Sequence, residues 1–113
     1  MRFRPTAVGY LRSDVSGIRQ AWDEEQIRSR ARRLGYDFAK LVVADGRSGR
    51  HLTAALKSAI TRLDAEAVIV PDATHFEGHV VPDDLVKAAD VITVEPDETY
   101  ARWGIPPVPV DRG

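Results

Sequence analysis

The stretch that decides the fold is residues 51–70, HLTAALKSAITRLDAEAVIV. Its first part spaces apolar residues three and four apart, a pattern that predicts an amphipathic helix over 51–63. The residues of this apolar face are Leu52, Ala55, Leu56, Ala59, Ile60 and Leu63. Its last part, 67–70, is an unbroken apolar run, as expected of a strand that is covered on both faces. A helix that leads directly into a buried strand indicates a parallel sheet with helices packed on it.

The rest of the chain continues this alternation in both directions. Strands are predicted at 7–11, 38–43 and 91–94, helices at 19–34 and 82–89, and a final helical turn at 97–103. The order β-α-β-α-β-α-β-α predicts an α/β fold, a three-layer sandwich with a mainly parallel sheet of four or five strands. We expect one domain over residues 1–103 and a proline-rich tail over 104–113, where three prolines in four positions prevent a helix.

The predicted helix over 19–34 carries a run of arginines. Ile27, Ala31 and Leu34 form its apolar stripe, and Gly35 supplies a left-handed stop. The arginines are interpreted as a solvated face, with a track for a DNA backbone as the alternative. They are Arg28, Arg30, Arg32 and Arg33. The acidic residues of the first turn, within 22–25, are explained by the helix dipole.

Composition and charge narrow the function classes. The 113 residues include no cysteine, which excludes a disulfide scaffold, cysteine-ligated zinc and a cysteine nucleophile. No apolar run reaches the ~20 residues of a membrane span, and residues 1–5 lack the apolar core of a signal peptide, so we expect a cytoplasmic protein without membrane contact. Residues 1–50 carry 11 basic and 6 acidic side chains, whereas residues 51–113 carry 5 and 11. This asymmetry indicates either a polyanionic partner or complementarity between the two halves.

Polar side chains follow three of the predicted strands at their carboxyl ends, where open parallel sheets bind their ligands. The loops 12–17, 45–50 and 71–79 bring hydroxyls, arginines and glycines to one rim, beside helix amino termini that favour anions. The default interpretation is an oxyanion or phosphate site. Its candidate anion-binding residues are Arg12, Ser16, Arg47, Ser48, Arg50 and His75. The alternative is that these are ordinary turn and capping residues, with Ser16 as the N-cap of the following helix.

Two motifs resemble one known family. Residues 8–13, VGYLRS, precede a helix that is rich in Gln and Arg and closes at Gly35. The loop 45–50, DGRSGR, combines an acidic residue, a Ser-Gly pair and a following arginine. Together these stretches resemble the catalytic domain of the resolvase/invertase family, the serine recombinases. The resemblance covers residues 6–100.

The resemblance implies a resolvase-like fold and a specific chemistry. In such recombinases a serine hydroxyl attacks a DNA phosphodiester, while arginines neutralise the charge that gathers on the phosphate oxygens. Arg12 matches the family's first active-site arginine, and Ser48 and Arg50 match the serine and arginine of its second loop. Ser13 and Arg12 are the candidate catalytic residues.

The chain departs from the family pattern at the nucleophile and in the third loop. The family places its nucleophile two residues after the first arginine, where this chain has Asp14; Ser13 comes one residue early, and Ser16 requires the loop to fold back. The third loop reads THFEG at 74–78, where the family has two phosphate-binding arginines. Loss of a single oxyanion donor can cost about 3 kcal/mol of transition-state stabilisation.

The leading hypothesis is therefore a degenerate resolvase-like domain that is unable to recombine DNA. It retains an anion pocket and acts by binding a phosphate-bearing ligand, DNA or a protein partner, which includes a second copy of the chain. This hypothesis requires no cofactor and no metal.

Two other functions are compatible with the sequence. The first is an active strand-cleaving subunit, with Ser13 as nucleophile and a partner chain that supplies the DNA contacts. The second is a metal-dependent hydrolase. His75, Glu77 and His79 alternate along the chain, so in an extended stretch their side chains point the same way, with Asp72 nearby.

Overall fold

The computed structural model describes residues 4–46 and 53–102. Its five strands are β1 (Thr6–Arg12), β2 (Asp37–Ala44), β3 (Ala67–Val70), β4 (Asp90–Thr93) and β5 (Glu98–Tyr100). Its α-helices are α1 (Ser13–Ser16), α2 (Gln20–Arg33), α3 (Ala54–Leu63) and α4 (Asp83–Ala88), and 3₁₀ turns lie at Gly17–Arg19, Ala73–His75 and Glu77–His79. No helix in this part of the chain has the length and apolar character needed to cross a membrane.

The strands form one sheet in the order β2-β1-β3-β4-β5. β1 pairs in parallel with both β2 and β3, and β3 pairs in parallel with β4. This arrangement confirms the predicted α/β fold with a mainly parallel sheet. All four residues of β3 are buried, as the unbroken apolar run predicts.

Two apolar clusters cover the two faces of the sheet, because successive side chains along each strand alternate between them. Val8 and Tyr10 of β1 join the cluster that packs under α3 and α4, with Leu56 and Leu85 as helical members. The other cluster lies under α2 and contains Ala7, Leu11, Ile27, Ala31 and Ile69.

Close packing of α2 on the sheet depends on Gly9. A Cβ atom at Gly9 would lie 2.7 Å from Cγ2 of Ile27 and 2.9 Å from Cδ1 of Leu41. The absence of a side chain therefore lets the helix approach β1 directly. At the end of α2, Gly35 adopts φ +84°, which confirms the predicted left-handed stop. Leu34, which the stripe pattern assigned to the core, is about half exposed.

The predicted helical turn at 97–103 is wrong, because Glu98–Tyr100 forms β5, which pairs antiparallel with β4. Long-range contacts hold the turn between the two strands. The guanidinium of Arg30 donates to Asp97 Oδ1 at 2.7 Å and to the carbonyl of Val94 at 3.3 Å. Arg30 is consequently buried, so the prediction of a solvated arginine face is wrong at this position.

Candidate functional site

The carboxyl ends of β1, β2 and β3 meet at one rim, since the three strands are parallel neighbours. β1 lies between β2 and β3, so the chain runs from β1 to β2 on one side and then crosses back to β3 on the other side of β1. Such a switch point opens a crevice in which doubly wound proteins bind ligands. The residues of interest are those that follow β1, together with the loop after β3.

His75 fixes the end of β1. The backbone amide of Arg12 donates to Nδ1 of His75 at 2.9 Å, and His75 is only 2% exposed. Burial lowers the pKa of His75, while the carboxylate of Asp72 acts in the opposite direction. The ring is therefore neutral at pH 7, with Nδ1 unprotonated and occupied by the amide. In this arrangement His75 positions the backbone of Arg12 and contributes no positive charge to the predicted anion site.

The guanidinium of Arg12 forms a two-point ion pair with Asp14. Its Nε lies 3.1 Å from Oδ1, and its Nη2 lies 2.6 Å from Oδ2. The side chain of Arg12 is 18% exposed and that of Asp14 is 41% exposed. The hydrogen bonds to Asp14 raise the pKa of Arg12, and the same contact lowers the pKa of Asp14. A carboxylate of the chain itself thus occupies one two-donor edge of the guanidinium, in the bidentate geometry that a phosphate also adopts.

Ser13 is directed to another partner. It is the first residue of α1, and its Oγ donates to the carbonyl oxygen of Ala44 at 3.3 Å. Ala44 is the last residue of β2 and lies beside Arg12 in the sheet. The hydroxyl of Ser13 therefore ties together the carboxyl ends of two neighbouring strands.

The loop after β2 reaches the same ion pair through Gly46. A Cβ atom at Gly46 would lie 2.4 Å from Oδ2 of Asp14 and 3.2 Å from Nη2 of Arg12. A larger residue at position 46 would therefore have to push the carboxylate of Asp14 aside, whereas glycine leaves the ion pair undisturbed. The predicted site residues Arg47, Ser48 and Arg50 lie outside the described residues.

Ser16 does not act as the predicted N-cap. The residue before α2 is Arg19, and its side chain makes no capping hydrogen bond to this helix. The Oγ of Ser16 donates instead to Oδ2 of Asp23 at 2.7 Å, and both residues are buried. Asp23, which the sequence pattern attributed to the helix dipole, is thus a buried partner of α1. The 3₁₀ turn at Gly17–Arg19 brings these two residues together, and the sequence has no clear signal for it.

The loop after β3 does not form the predicted metal-binding array. Two 3₁₀ turns replace the extended stretch that would have aligned His75, Glu77 and His79, and His79 adopts φ +58°. His75 is buried, whereas Glu77 and His79 are exposed. The part of the chain that the structure describes contains no group of three or more His, Asp or Glu residues placed to hold a metal ion.

A cavity of about 330 Å³ lies on the α2 side of the crevice. Its basic residue is Arg19, which lies 4.0 Å from the carboxylate of Asp23, and its other acidic residues are Asp72 and Glu95. Trp22 borders the cavity and is more than half exposed. Three carboxylates facing one arginine make this cavity unsuitable for a phosphate, so the rim around Arg12 is the candidate oxyanion site.

Comparison with known proteins gives no match: no family model, no curated protein and no solved structure matches this chain.

Proposed function

We propose that this chain is a degenerate resolvase-type domain that binds a phosphate-bearing ligand at Arg12 and does not cleave it. In the free protein Asp14 occupies the Nε/Nη2 edge of Arg12 and competes with the ligand for it. The observation that carries the proposal is the two-point contact between Arg12 and Asp14.

The internal ion pair supports oxyanion binding, because a carboxylate and a phosphate present similar pairs of oxygen atoms to a guanidinium. Asp14 thus stands in for the ligand oxygens. His75 holds the Arg12 backbone through the amide, and the backbone at Gly46 lies close to the Arg12–Asp14 pair. A guanidinium whose root is fixed in this way loses little conformational freedom when it binds an anion.

Three features support the absence of cleavage. The hydroxyl of Ser13 is engaged by the carbonyl of Ala44, so it is not held for attack on a phosphate beside Arg12. Asp14 takes the place that the serine recombinase pattern gives to the nucleophile. His75 is neutral, but its unprotonated nitrogen accepts the Arg12 amide and is not free to take a proton from a serine.

Displacement of Asp14 from Arg12 is energetically accessible. Asp14 is substantially exposed, and ion pairs of exposed groups contribute up to about 1 kcal/mol. A competing carboxylate of that strength weakens the binding of an external anion by about fivefold. The carboxylate therefore reduces the affinity of the site without closing it.

The experiment compares anion binding by the wild type, Asp14→Asn and Arg12→Gln at low ionic strength. The probes are inorganic phosphate, followed by NMR, and a short fluorescent DNA duplex, followed by anisotropy. We expect Asp14→Asn to bind phosphate more tightly than the wild type, by up to about fivefold, because the competing charge is gone. Arg12→Gln should abolish the binding. The two probes distinguish a free phosphate from the phosphate of a nucleic acid.

Glu25→Gln is the matched control. Glu25 is exposed and pairs with Arg32 at 3.6 Å on α2, so its neutralisation changes the net charge by the same amount without touching the rim. We expect its phosphate affinity to equal that of the wild type. Equal affinities for the wild type, Asp14→Asn and Arg12→Gln would refute the binding site. A covalent adduct with supercoiled DNA that disappears in Ser13→Ala would refute the loss of cleavage.

A further inference from the structure

The cavity on the α2 side of the crevice is a second candidate site, which we call the Trp22 cavity. Trp22 and Val15 form part of its wall, and they are 57% and 38% exposed. Its acidic residues are Asp23, Asp72 and Glu95. The volume of about 330 Å³ lies at the lower end of the range for ligand pockets, which suits a ligand the size of one side chain. Arg12 and Asp14 do not line this cavity, so a ligand here is independent of the anion at the rim.

Asp23 presents to this cavity a nearly buried carboxylate with one unbonded oxygen. The residue is 8% exposed, and its Oδ2 accepts a hydrogen bond from Ser16 at 2.7 Å. None of the residues that the structure describes donates a hydrogen bond to its Oδ1. In the same part of the chain, the side-chain atoms that are both inaccessible and unpartnered are the Tyr10 hydroxyl and Nε of Arg30, so Oδ1 of Asp23 is accessible. A carboxylate oxygen that is fixed in place and lacks a donor is suited to bind one from a ligand.

Arg19 is the basic residue of the Trp22 cavity, and it is loosely held. Its Nη2 lies 4.0 Å from Oδ1 of Asp23, beyond the reach of a hydrogen bond, and its side chain is 66% exposed. An exposed arginine at this distance can turn into solvent at little cost in free energy. Three carboxylates therefore face one weakly engaged positive charge, and this excess of negative charge attracts cations.

The geometry favours an organic cation over a metal ion. No three His, Asp or Glu residues of the described chain lie close enough together to hold a metal ion, so the carboxylates are spread around the cavity. One of them, Asp72, already accepts hydrogen bonds from the amide and the hydroxyl of Thr74. Trp22, Val15 and Pro71 supply apolar walls. An exposed indole beside separated carboxylates suits a ligand with a charged end and an aliphatic stem.

We propose that the Trp22 cavity binds an alkylammonium or alkylguanidinium group, with the charge at Oδ1 of Asp23 and the aliphatic stem on the indole of Trp22. The charge follows from the unbonded oxygen and the excess of carboxylates. The stem follows from the exposed ring and from the size of the cavity. A free amine and a lysine or arginine side chain of a partner protein both have this chemistry.

NMR titration with agmatine, an alkylguanidinium, at low ionic strength tests the proposal. We expect saturable shifts of the Trp22 indole N–H signal and of the amide of Asp72. Trp22→Leu keeps an apolar side chain at this exposed position but removes the ring, and it should weaken the binding by about fivefold. Glu95→Gln removes an exposed carboxylate and should weaken it by about two- to fivefold. Absence of saturable binding by the wild type would overturn the proposal.

Two variants of the charged pair test its role directly. Asp23→Asn keeps an acceptor for Ser16 but removes the charge, and it should weaken agmatine binding by about tenfold or more. Arg19→Gln removes the competing cation and should strengthen the binding by up to about fivefold. If Asp23→Asn does not fold, the exposed positions Trp22 and Glu95 still decide the outcome.

Glu25→Gln is the matched control for Glu95→Gln, because Glu25 is exposed, pairs with Arg32 and lies outside the cavity. We expect its agmatine affinity to equal that of the wild type. Equal affinities for the wild type, Trp22→Leu and Glu95→Gln would overturn the proposal. Displacement of agmatine by phosphate at constant ionic strength would show a single site shared with the rim, and this result would also overturn it.

A capped Leu-Arg-Leu tripeptide identifies the source of the cation. Tighter binding of the tripeptide than of agmatine would support an arginine side chain of a partner protein. Tighter binding of agmatine would support a free amine. In both cases Trp22→Leu should weaken the binding of the preferred probe, and equal binding of that probe by Trp22→Leu would overturn the proposal.

Discussion

Acidification should weaken the fold through His75. The imidazole is buried, and burial lowers its pKa in the folded protein below the ordinary value of 6.5 that it recovers on unfolding. Between these two pKa values the unfolded chain binds a proton that the folded protein does not bind. The contribution of His75 to stability is therefore complete above pH 6.5, and it is lost progressively as the pH falls towards the folded pKa.

The size of this effect follows from the unfolded reference value. When the folded pKa lies well below the experimental range, lowering the pH from 7.5 to 5.5 decreases the free energy of unfolding by up to about 1.4 kcal/mol. The effect has a structural cause as well as an electrostatic one. A proton on Nδ1 breaks the hydrogen bond from the Arg12 amide, so protonation and release of the end of β1 occur together.

Urea unfolding of the wild type and His75→Asn over this pH range measures the effect. The Oδ1 atom of asparagine can accept the Arg12 amide as Nδ1 does, but asparagine does not titrate. We expect the stability difference between the two proteins to shrink by up to about 1.4 kcal/mol as the pH falls to 5.5, because only the wild type is destabilised. A difference that stays constant across this range would refute the reasoning, since carboxylates common to both proteins cancel in the comparison.

Two further predictions concern stability. Ser16→Ala removes the buried hydrogen bond to the carboxylate of Asp23 and should decrease the free energy of unfolding, measured by urea titration, by about 1.5–3 kcal/mol. The control Ser58→Ala, at an exposed site on α3, should leave the free energy of unfolding nearly unchanged. Similar values for the two variants would contradict the contact between Ser16 and Asp23. Leu56→Ala leaves a cavity at a fully buried position and should decrease the free energy of unfolding by about 2–5 kcal/mol. Leu34 is about half exposed, so the stability of Leu34→Ala should stay within about 0.5 kcal/mol of that of the wild type. Equal losses in the two variants would show that the core is misassigned.

The fold was predictable where local pattern and packing agree. The apolar run at 67–70 places apolar side chains on both faces of a strand, which predicts that both faces are covered. The structure confirms this, since all four residues of β3 are buried. The error at 97–103 has a different origin. Glu98–Tyr100 becomes a strand because β4 offers it a free edge and because Arg30 holds the preceding turn through Asp97. That contact joins residues 67 positions apart, so no local pattern reveals it.

The sequence predicted where the candidate site lies better than it predicted the hydrogen bonds and ion pairs of the side chains there. Parallel strand order brings the first and third loops to one rim, and Arg12 and His75 do meet there. What each side chain does depends on bonding that spacing cannot specify. His75 accepts a hydrogen bond from the backbone amide of Arg12. Asp14, which the sequence showed only as a departure from the serine recombinase pattern, forms an ion pair with the guanidinium of Arg12. Ser16 donates a hydrogen bond to Asp23 across the 3₁₀ turn at Gly17–Arg19, and the sequence pattern does not predict this turn.

The two ends of the Arg12 residue are restrained in opposite ways, and this difference bears on kinetics. The amide of Arg12 donates to a buried ring, whereas its guanidinium, among the residues that the structure describes, pairs with the solvent-accessible carboxylate of Asp14. In the proposed function, exchange of Asp14 for a phosphate requires rotation of the exposed Asp14 side chain, which takes picoseconds to nanoseconds, and no rearrangement of strands. Association at this rim should consequently proceed at the rate of diffusional encounter, without a slow opening step.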